Sequence, residues 1–140
     1  MPELVYAVVT DAPVHIAELS ALVSNPQSGA IVTFCGDVRN NDGGKEVASL
    51  LYEIHPSAPE QIKLITLSVI GRCEIEKVAL AHRFGQIPIG ETAFAVAVSA
   101  AHRQAAFDAC AAIVNAVKEK LPIWKHQKFT DGSDEWVNCA

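Results

Sequence analysis

The sequence lacks the features that mark membrane-spanning, secreted and nucleic-acid-binding proteins. No apolar run approaches the roughly 20 residues of a membrane-spanning helix, and the N-terminus MPELVYAVVTDAP has neither a basic leader nor a small-residue cleavage site. Eleven basic against 16 acidic residues give a net charge of −5, whereas nucleic acids and anionic membranes require a broad basic surface. We therefore expect a cytoplasmic protein that binds neither nucleic acid nor membrane.

Signatures of metal sites, phosphate loops and activated nucleophiles are also missing. The cysteines form no CxxC pair, and the histidines show no HxxxH spacing. The chain has no glycine-rich phosphate loop and no GxSxG elbow. We therefore predict no metal, no resident cofactor and no structural disulfide. Reduced thiols are expected at Cys35, Cys73, Cys110 and Cys139.

Length and composition predict one globular domain that spans residues 1–140. Half of the residues are hydrophobic and 19% are charged, which is enough apolar material for a single core. Apolar periodicity and turn formers predict helices after Asp11, at 57–72 and at 102–119, and strands at 3–10, 30–39, 47–54, 76–84, 92–100 and 123–129. The tail from 136 is expected to be a short strand or a docking segment. This order predicts an α+β fold with a mixed, largely antiparallel sheet.

Local patterns add detail to three of these elements. Thr10 or Asp11 is expected to cap the first helix, with Pro13 in its first turn. The turn formers NNDGGK, residues 40–45, predict a hairpin loop joining the second strand to the third. The alanines that alternate along 92–100 predict a helix packed closely on that face of the strand.

The second predicted strand ends in two charged residues. Strand alternation places Asp37 and Arg39 on the same side, where a rigid strand meets a mobile loop. Functional residues are common at such places. Taken alone, the pair is better explained as a surface ion pair.

A positive region, residues 102–128, stands out in this acidic chain with five basic and two acidic residues. His102 and Arg103 begin the predicted helix, where free N–H groups and the helix dipole favour an anion such as phosphate. Helical spacing places Lys118 on the same side as Phe107 and Val114, at the end of an apolar stripe. The region therefore predicts a site for an anionic small molecule.

The lysines Lys118 and Lys125 leave the chemistry of this site open. Lysine amines bind phosphate, act as acid or base when desolvated, or form Schiff bases. A Schiff-base lyase that uses Lys118 and a non-catalytic binder of a phosphorylated metabolite both fit these residues. An ordinary pair of surface lysines fits them as well.

Four segments taken together resemble one family. In chain order they are GAIVTFCGDVRN (29–40), ALAHRFGQIPIGE (79–91), SAAHRQAAFDA (99–109) and VKEKLPIWKHQ (117–127). Their joint occurrence resembles the large, catalytic subunit of molybdopterin synthase, the MoaE family, from about residue 3 to Trp136. The resemblance implies an α/β hammerhead fold and a homodimer. It also implies one small ubiquitin-like subunit on each large subunit, giving a heterotetramer.

The resemblance also implies a reaction. The small subunit inserts its C-terminal Gly-Gly tail, carried as a thiocarboxylate, into a pocket of the large subunit. Two sulfurs are then transferred to cyclic pyranopterin monophosphate, which becomes the dithiolene of molybdopterin in molybdenum cofactor biosynthesis. The chain is therefore expected to be a sulfurtransferase.

Site residues are implied by matching motifs. Lys118 matches the family's catalytic lysine and Lys125 its second active-site lysine. The substrate-contacting positions match Asp37, Val38, Arg39, His102, Arg103, Lys118, Lys125, His126 and Gln127. Cys35 and Cys139 receive no role, because the sulfur comes from the partner's thiocarboxylate. We expect folding to bring the cationic residues of this set into one crevice, to which a neighbouring protomer can also contribute.

Overall fold

The computed structural model describes residues 1–138, so Cys139 lies outside the described part of the chain. The helices are α1 (Ile16–Val23), α2 (Ala58–Ile70) and α3 (Arg103–Lys120). The strands are β1 (Glu3–Thr10), β2 (Ala30–Asp37), β3 (Asn41–Asp42), β4 (Lys45–Ile54), β5 (Lys77–Arg83), β6 (Gly85–Gln86), β7 (Thr92–Ala100), β8 (Ile123–Phe129) and β9 (Asp134–Asn138). Within residues 1–138, no helix is both long and apolar enough to span a membrane.

The strands form two sheets. The first has the order β1-β5-β7-β2, in which β1 and β5 are parallel and the other pairs are antiparallel. The second has the order β3-β4-β8-β9, with β6 also paired to β4, and it is antiparallel throughout. This arrangement confirms the predicted α+β class with mixed, largely antiparallel pairing.

Helices cover both faces of the first sheet. On one face α1 inserts Leu19 and Val23 among four strand alanines, Ala79, Ala81, Ala95 and Ala97. On the other face α2 and α3 pack over the larger side chains of the same strands, Val78, Leu80, Phe94, Val96 and Val98. Small side chains let a helix approach closely, so the helix predicted against the alanines of β7 is confirmed and is α1.

The hairpin predicted between residues 30–39 and 47–54 is wrong. β2 pairs with β7 in the first sheet, whereas β4 pairs with β8 in the second. The chain changes sheets at Val38, whose N–H donates to Glu91 O and whose carbonyl accepts from Gly90 N. The turn formers instead close the short β3–β4 hairpin, where Gly43 and Gly44 both have positive φ, as a type I′ turn requires.

Two helix details also differ from expectation. α1 begins at Ile16 rather than near Asp11, because the Thr10 side chain accepts from Ala12 N in a local turn. Along α3 the buried stripe does not include Phe107, which is 54% exposed. The residues of α3 that are buried against the sheet are Ala106, Ala109, Cys110, Ile113, Val114 and Val117. Two alanines in this stripe let the first half of α3 lie close to the sheet.

We predict that Gly29→Ala destabilises the fold. A Cβ at Gly29 would lie 2.9 Å from the carbonyl oxygen of Ala101, a backbone atom that cannot move aside cheaply, just before β2 begins. The expected loss is about 1–3 kcal/mol in the free energy of unfolding, measured by urea denaturation.

Gly71→Ala is the matched control for this substitution. Its Cβ would lie 3.8 Å from Leu67 O, an ordinary van der Waals distance, and its backbone is already helical. We expect Gly71→Ala to be neutral or slightly stabilising. Equal denaturation midpoints for the two variants would contradict the predicted clash.

Candidate active site

A cavity of about 230 Å³ lies where the end of β2 meets the second sheet. Its walls come from β2 and the turn after it, from β4, β7 and β8, and from the last turn of α3. The lining residues are Gly36, Asp37, Val38, Arg39, Asn41, Asp42, Leu50, Tyr52, Ala93, Phe94, Lys118, Lys125 and Gln127. We call this cavity the central pocket.

The end of α3 places the two lysines in the central pocket. Lys118 lies in the last turn of the helix. The helix is capped by Leu121, whose N–H donates to Val117 O. The chain then returns as β8, and its register sets Lys125 opposite Tyr52 of β4. Both amines therefore face one cavity from different elements.

Burial changes the acid–base behaviour of Lys118. Desolvation of the partly buried amine lowers its pKa, and the positive charge of Lys125 lowers the pKa further. Both effects disfavour the ammonium form. Lys118 is therefore closer to neutral at physiological pH than an exposed lysine would be.

The end of β2 supplies the charged residues on the opposite wall. Asp37 accepts a hydrogen bond of 2.7 Å from the Thr92 hydroxyl, which ties it to the start of β7. Arg39 lies beyond the strand end, with its side chain 72% exposed and 3.8 Å from the Asp42 carboxylate. Asp37 is therefore held in place, whereas the Arg39 guanidinium is accessible to a ligand.

His82 lies behind the central pocket, against two of its lining residues, Tyr52 and Phe94. Its ring stacks on Phe94 at a centroid distance of 5.2 Å and meets Tyr52 edge-on at 5.0 Å. Nδ1 donates to Arg83 O, so Nε2 carries the lone pair of the neutral ring, and this buried atom has no hydrogen-bond partner in the described part of the chain. Burial, with a smaller contribution from the charge of Lys118, lowers the pKa of His82 to about 4.

Gln127 and Asp42 are joined across the pocket mouth. The Gln127 amide donates to Asp42 Oδ2 at 2.7 Å. This hydrogen bond lowers the pKa of Asp42, and the charges of Lys125 and Arg39 act in the same direction. The carboxylate is therefore ionised and partly offsets the two cations.

Three of the residues named from sequence do not line the central pocket. On β8, alternation turns His126 away from the pocket, where it stacks on Trp136 at 4.2 Å and contacts Asp134 Oδ2 at 2.8 Å. Arg103 begins α3 and is about 22 Å from Lys118 along the helix axis. Next to it, His102 lines a separate surface cavity.

Folding of one chain thus brings together six of the nine residues named from sequence. They are Asp37, Val38, Arg39, Lys118, Lys125 and Gln127. Sequence reasoning missed Asp42, Tyr52, Phe94 and His82. His82 lies in the motif at 79–91 and Asp42 among the turn formers at 40–45. Their places at or behind the pocket depend on contacts between distant parts of the chain.

The charged residues of the central pocket suit an anionic ligand. Three cationic side chains and two carboxylates line the pocket, and the cations occupy opposite walls. Such a site can hold an anionic, polar ligand between Arg39 and the lysines. An amine with a lowered pKa can also transfer protons near neutral pH.

Comparisons with known proteins identify the family of this chain. Residues 9–120 match the family model described as MoaE protein. The molybdopterin synthase catalytic subunit 1 of Mycobacterium tuberculosis is 41% identical over 136 residues, covering 94% of this chain and 90% of that protein. The corresponding subunit of Thermoplasma volcanium is 36% identical, covering 94% and 96%.

Solved structures show the same fold. A crystal structure of molybdopterin synthase from Staphylococcus aureus superposes with a TM-score of 0.84 at 27% identity, covering 94% of this chain and 96% of that chain. A complex of subunits 1 and 2 of the molybdopterin-converting factor from Helicobacter pylori, at 16% identity, shares the fold, with a TM-score of 0.65 and coverage of 98% and 88%. The fold implied by the resemblance is confirmed, and the chain belongs to the MoaE family of molybdopterin synthase catalytic subunits.

Proposed function

We propose that the central pocket transfers sulfur to cyclic pyranopterin monophosphate from the C-terminal thiocarboxylate of a small ubiquitin-like subunit. Family membership makes the chain a sulfurtransferase of molybdenum cofactor biosynthesis. The observation that carries the site assignment is the meeting of Lys118, Lys125 and Arg39 in one cavity. The product is the dithiolene of molybdopterin.

The cations of the pocket suit this substrate. Its cyclic phosphate is anionic and its pterin is polar, so Arg39 can pair with phosphate oxygens through parallel N–H donors. Lys125 adds a second positive charge on the facing strand. Together they can orient the substrate beside the incoming tail.

Lys118 is proposed to assist the chemical steps. Negative charge develops as the sulfur attacks the substrate and as the acyl link to the tail is broken. As a cation Lys118 can stabilise that charge, and as a neutral amine it can accept a proton. Its lowered pKa makes the neutral form more accessible than in an exposed lysine.

The two alternatives suggested by the lysines are not supported by the relatives. A Schiff-base lyase and a non-catalytic binder both fit the basic residues, but the matched proteins are named as molybdopterin synthase catalytic subunits. The family assignment therefore favours sulfur transfer.

Assembly is proposed from the same resemblance. One structure that shares this fold is itself a complex of two different subunits. We propose that a small subunit inserts its Gly-Gly tail into the central pocket, that two large subunits form a homodimer, and that the resulting heterotetramer is cytoplasmic.

The homodimer offers a role for the N-terminal end of α3. Within one chain, His102 and Arg103 are too far from Lys118 to share a ligand with it. Both are exposed and accessible to a second copy. We propose that each subunit donates these two residues to the central pocket of its partner.

Replacement of Lys118 tests the proposed function. We expect Lys118→Ala to fold normally but to lose at least ~100-fold in product formation, because proton transfer and charge stabilisation are lost together. The assay supplies the thiocarboxylated small subunit and cyclic pyranopterin monophosphate, and measures the dithiolene product. Lys120→Ala, at an exposed position of the same helix end, is the control. Near-wild-type turnover in Lys118→Ala would reject the assigned role.

The electrostatic coupling of the lysines predicts a shift in titration. Replacing Lys125 by Gln removes a repelling charge, so the pKa of Lys118 should rise toward its ordinary value. Desolvation remains, so the rise should be incomplete. Titration of the labelled side-chain amine by NMR measures the shift, and Lys120→Gln should leave the titration of Lys118 in place. An unchanged titration in Lys125→Gln would show that the charges are uncoupled.

Mixed dimers test the shared pocket. Lys118→Ala and Arg103→Ala should each be poorly active alone. In a mixed dimer one pocket combines an intact Lys118 with an intact Arg103, so random mixing should restore about a quarter of wild-type turnover per subunit. Co-expression of the two variants with different tags provides the mixture. Failure to restore activity in purified mixed dimers would place Arg103 outside the partner's pocket.

A further inference from the structure

One side of the central pocket is formed by the turn after β2, residues 39–44. The turn is tight because Gly43 and Gly44 both adopt positive φ. A Cβ placed on either glycine would meet no atom within 4 Å, so the tip of the turn projects into open space. Packing at the tip therefore does not hold this wall in place.

A hydrogen bond across the pocket mouth anchors the turn to the second sheet. Gln127 of β8 is 3% exposed, and its amide donates to Asp42 Oδ2 at 2.7 Å. The orientation of the amide follows from chemistry, because an ionised carboxylate can only accept. The buried amide of Gln127 thus donates to the Asp42 carboxylate on the projecting turn.

The same carboxylate connects the anchor to Arg39. Its other oxygen lies 3.8 Å from the Arg39 guanidinium, three residues earlier in the turn. Arg39 is 72% exposed, so burial does little to fix its position. The Asp42 carboxylate is therefore the ion-pair partner of Arg39, and Gln127 fixes that carboxylate on a hairpin whose backbone is paired to β4.

We propose that Asp42 and Gln127 form a latch that holds the turn against β8 and so positions Arg39 for the anionic substrate. Both are positioning residues, and their effect on turnover rests on the sulfur transfer proposed above. The amide of Gln127 then acts on the protein rather than on the substrate. This role differs from the substrate contact implied by the family resemblance.

Exchange of the partners tests the latch. Asp42→Ala removes the acceptor and should raise KM about tenfold with little change in kcat, since Arg39 loses its place but Lys118 does not. Asp42→Asn keeps an acceptor oxygen for Gln127 but turns an N–H2 group toward Arg39, so its KM should lie between those of wild type and Asp42→Ala. Gln127→Glu sets two carboxylates against each other and should be at least as impaired as Asp42→Ala.

The double variant Asp42→Asn/Gln127→Glu restores one donor and one acceptor in reversed order. We expect it to recover KM to within about threefold of wild type, which a simple loss of stability in both single variants would not produce. Asp108→Ala is the matched control, because it removes a similar amide–carboxylate bond, from Gln104, on the exposed surface of α3.

Hydrogen exchange of the backbone amides of residues 40–46, measured without substrate, reports on the latch directly. Exchange should accelerate in Asp42→Ala and Gln127→Glu and return toward the wild-type rate in the double variant. Unchanged exchange and KM in Asp42→Ala, or a double variant no better than Gln127→Glu, would overturn the proposal. Absence of turnover in the wild type would instead count against sulfur transfer, while the exchange rates would still decide the latch.

Discussion

The site depends on how α3 ends. Leu121 and Ile123 are almost completely buried on either side of Pro122, and a proline cannot continue the helix. This buried break reverses the chain into β8 and places that strand beside β4. Lys118 and Lys125 consequently face each other across a corner of the core, with only a short stretch of chain between them.

Bringing two amines together at a partly buried corner has a cost in stability. Because folding lowers the pKa of Lys118, the unfolded chain binds more protons in the range between the lowered and the ordinary value. Stability contributed by this residue therefore rises with pH across that range and is smallest when the amine is fully charged. Apolar burial on both faces of the first sheet offsets this cost in the free energy of folding.

The sequence predicted most elements because their signals are local. The strands at 3–10 and 92–100 and the strand at 123–129 agree with β1, β7 and β8 to the residue, since apolar alternation and turn formers define their ends. Sheet partners were not predictable in the same way. Turn residues at 40–45 indicated a hairpin, but the choice between β4 and β7 as the partner of β2 depends on packing across the whole core.

The site shows the same division between local and distant information. Motifs identified the cations, but Lys118 and Arg103 share one helix, whose length separates them by about 22 Å. Asp42 carried no sequence signal of its own, because its importance comes from Gln127, distant in the chain. His126 and Gln127 are adjacent in sequence, yet strand alternation sends only Gln127 into the pocket.

The neutral imidazole beneath the aromatic wall has a consequence for how the pocket responds to its surroundings. With a pKa of about 4, His82 stays uncharged through mild acidification. Histidines elsewhere often act as sensors of such changes. Here the ring contributes shape and polarisability but no variable charge, so mild acidification adds no positive charge behind the aromatic side chains of the central pocket.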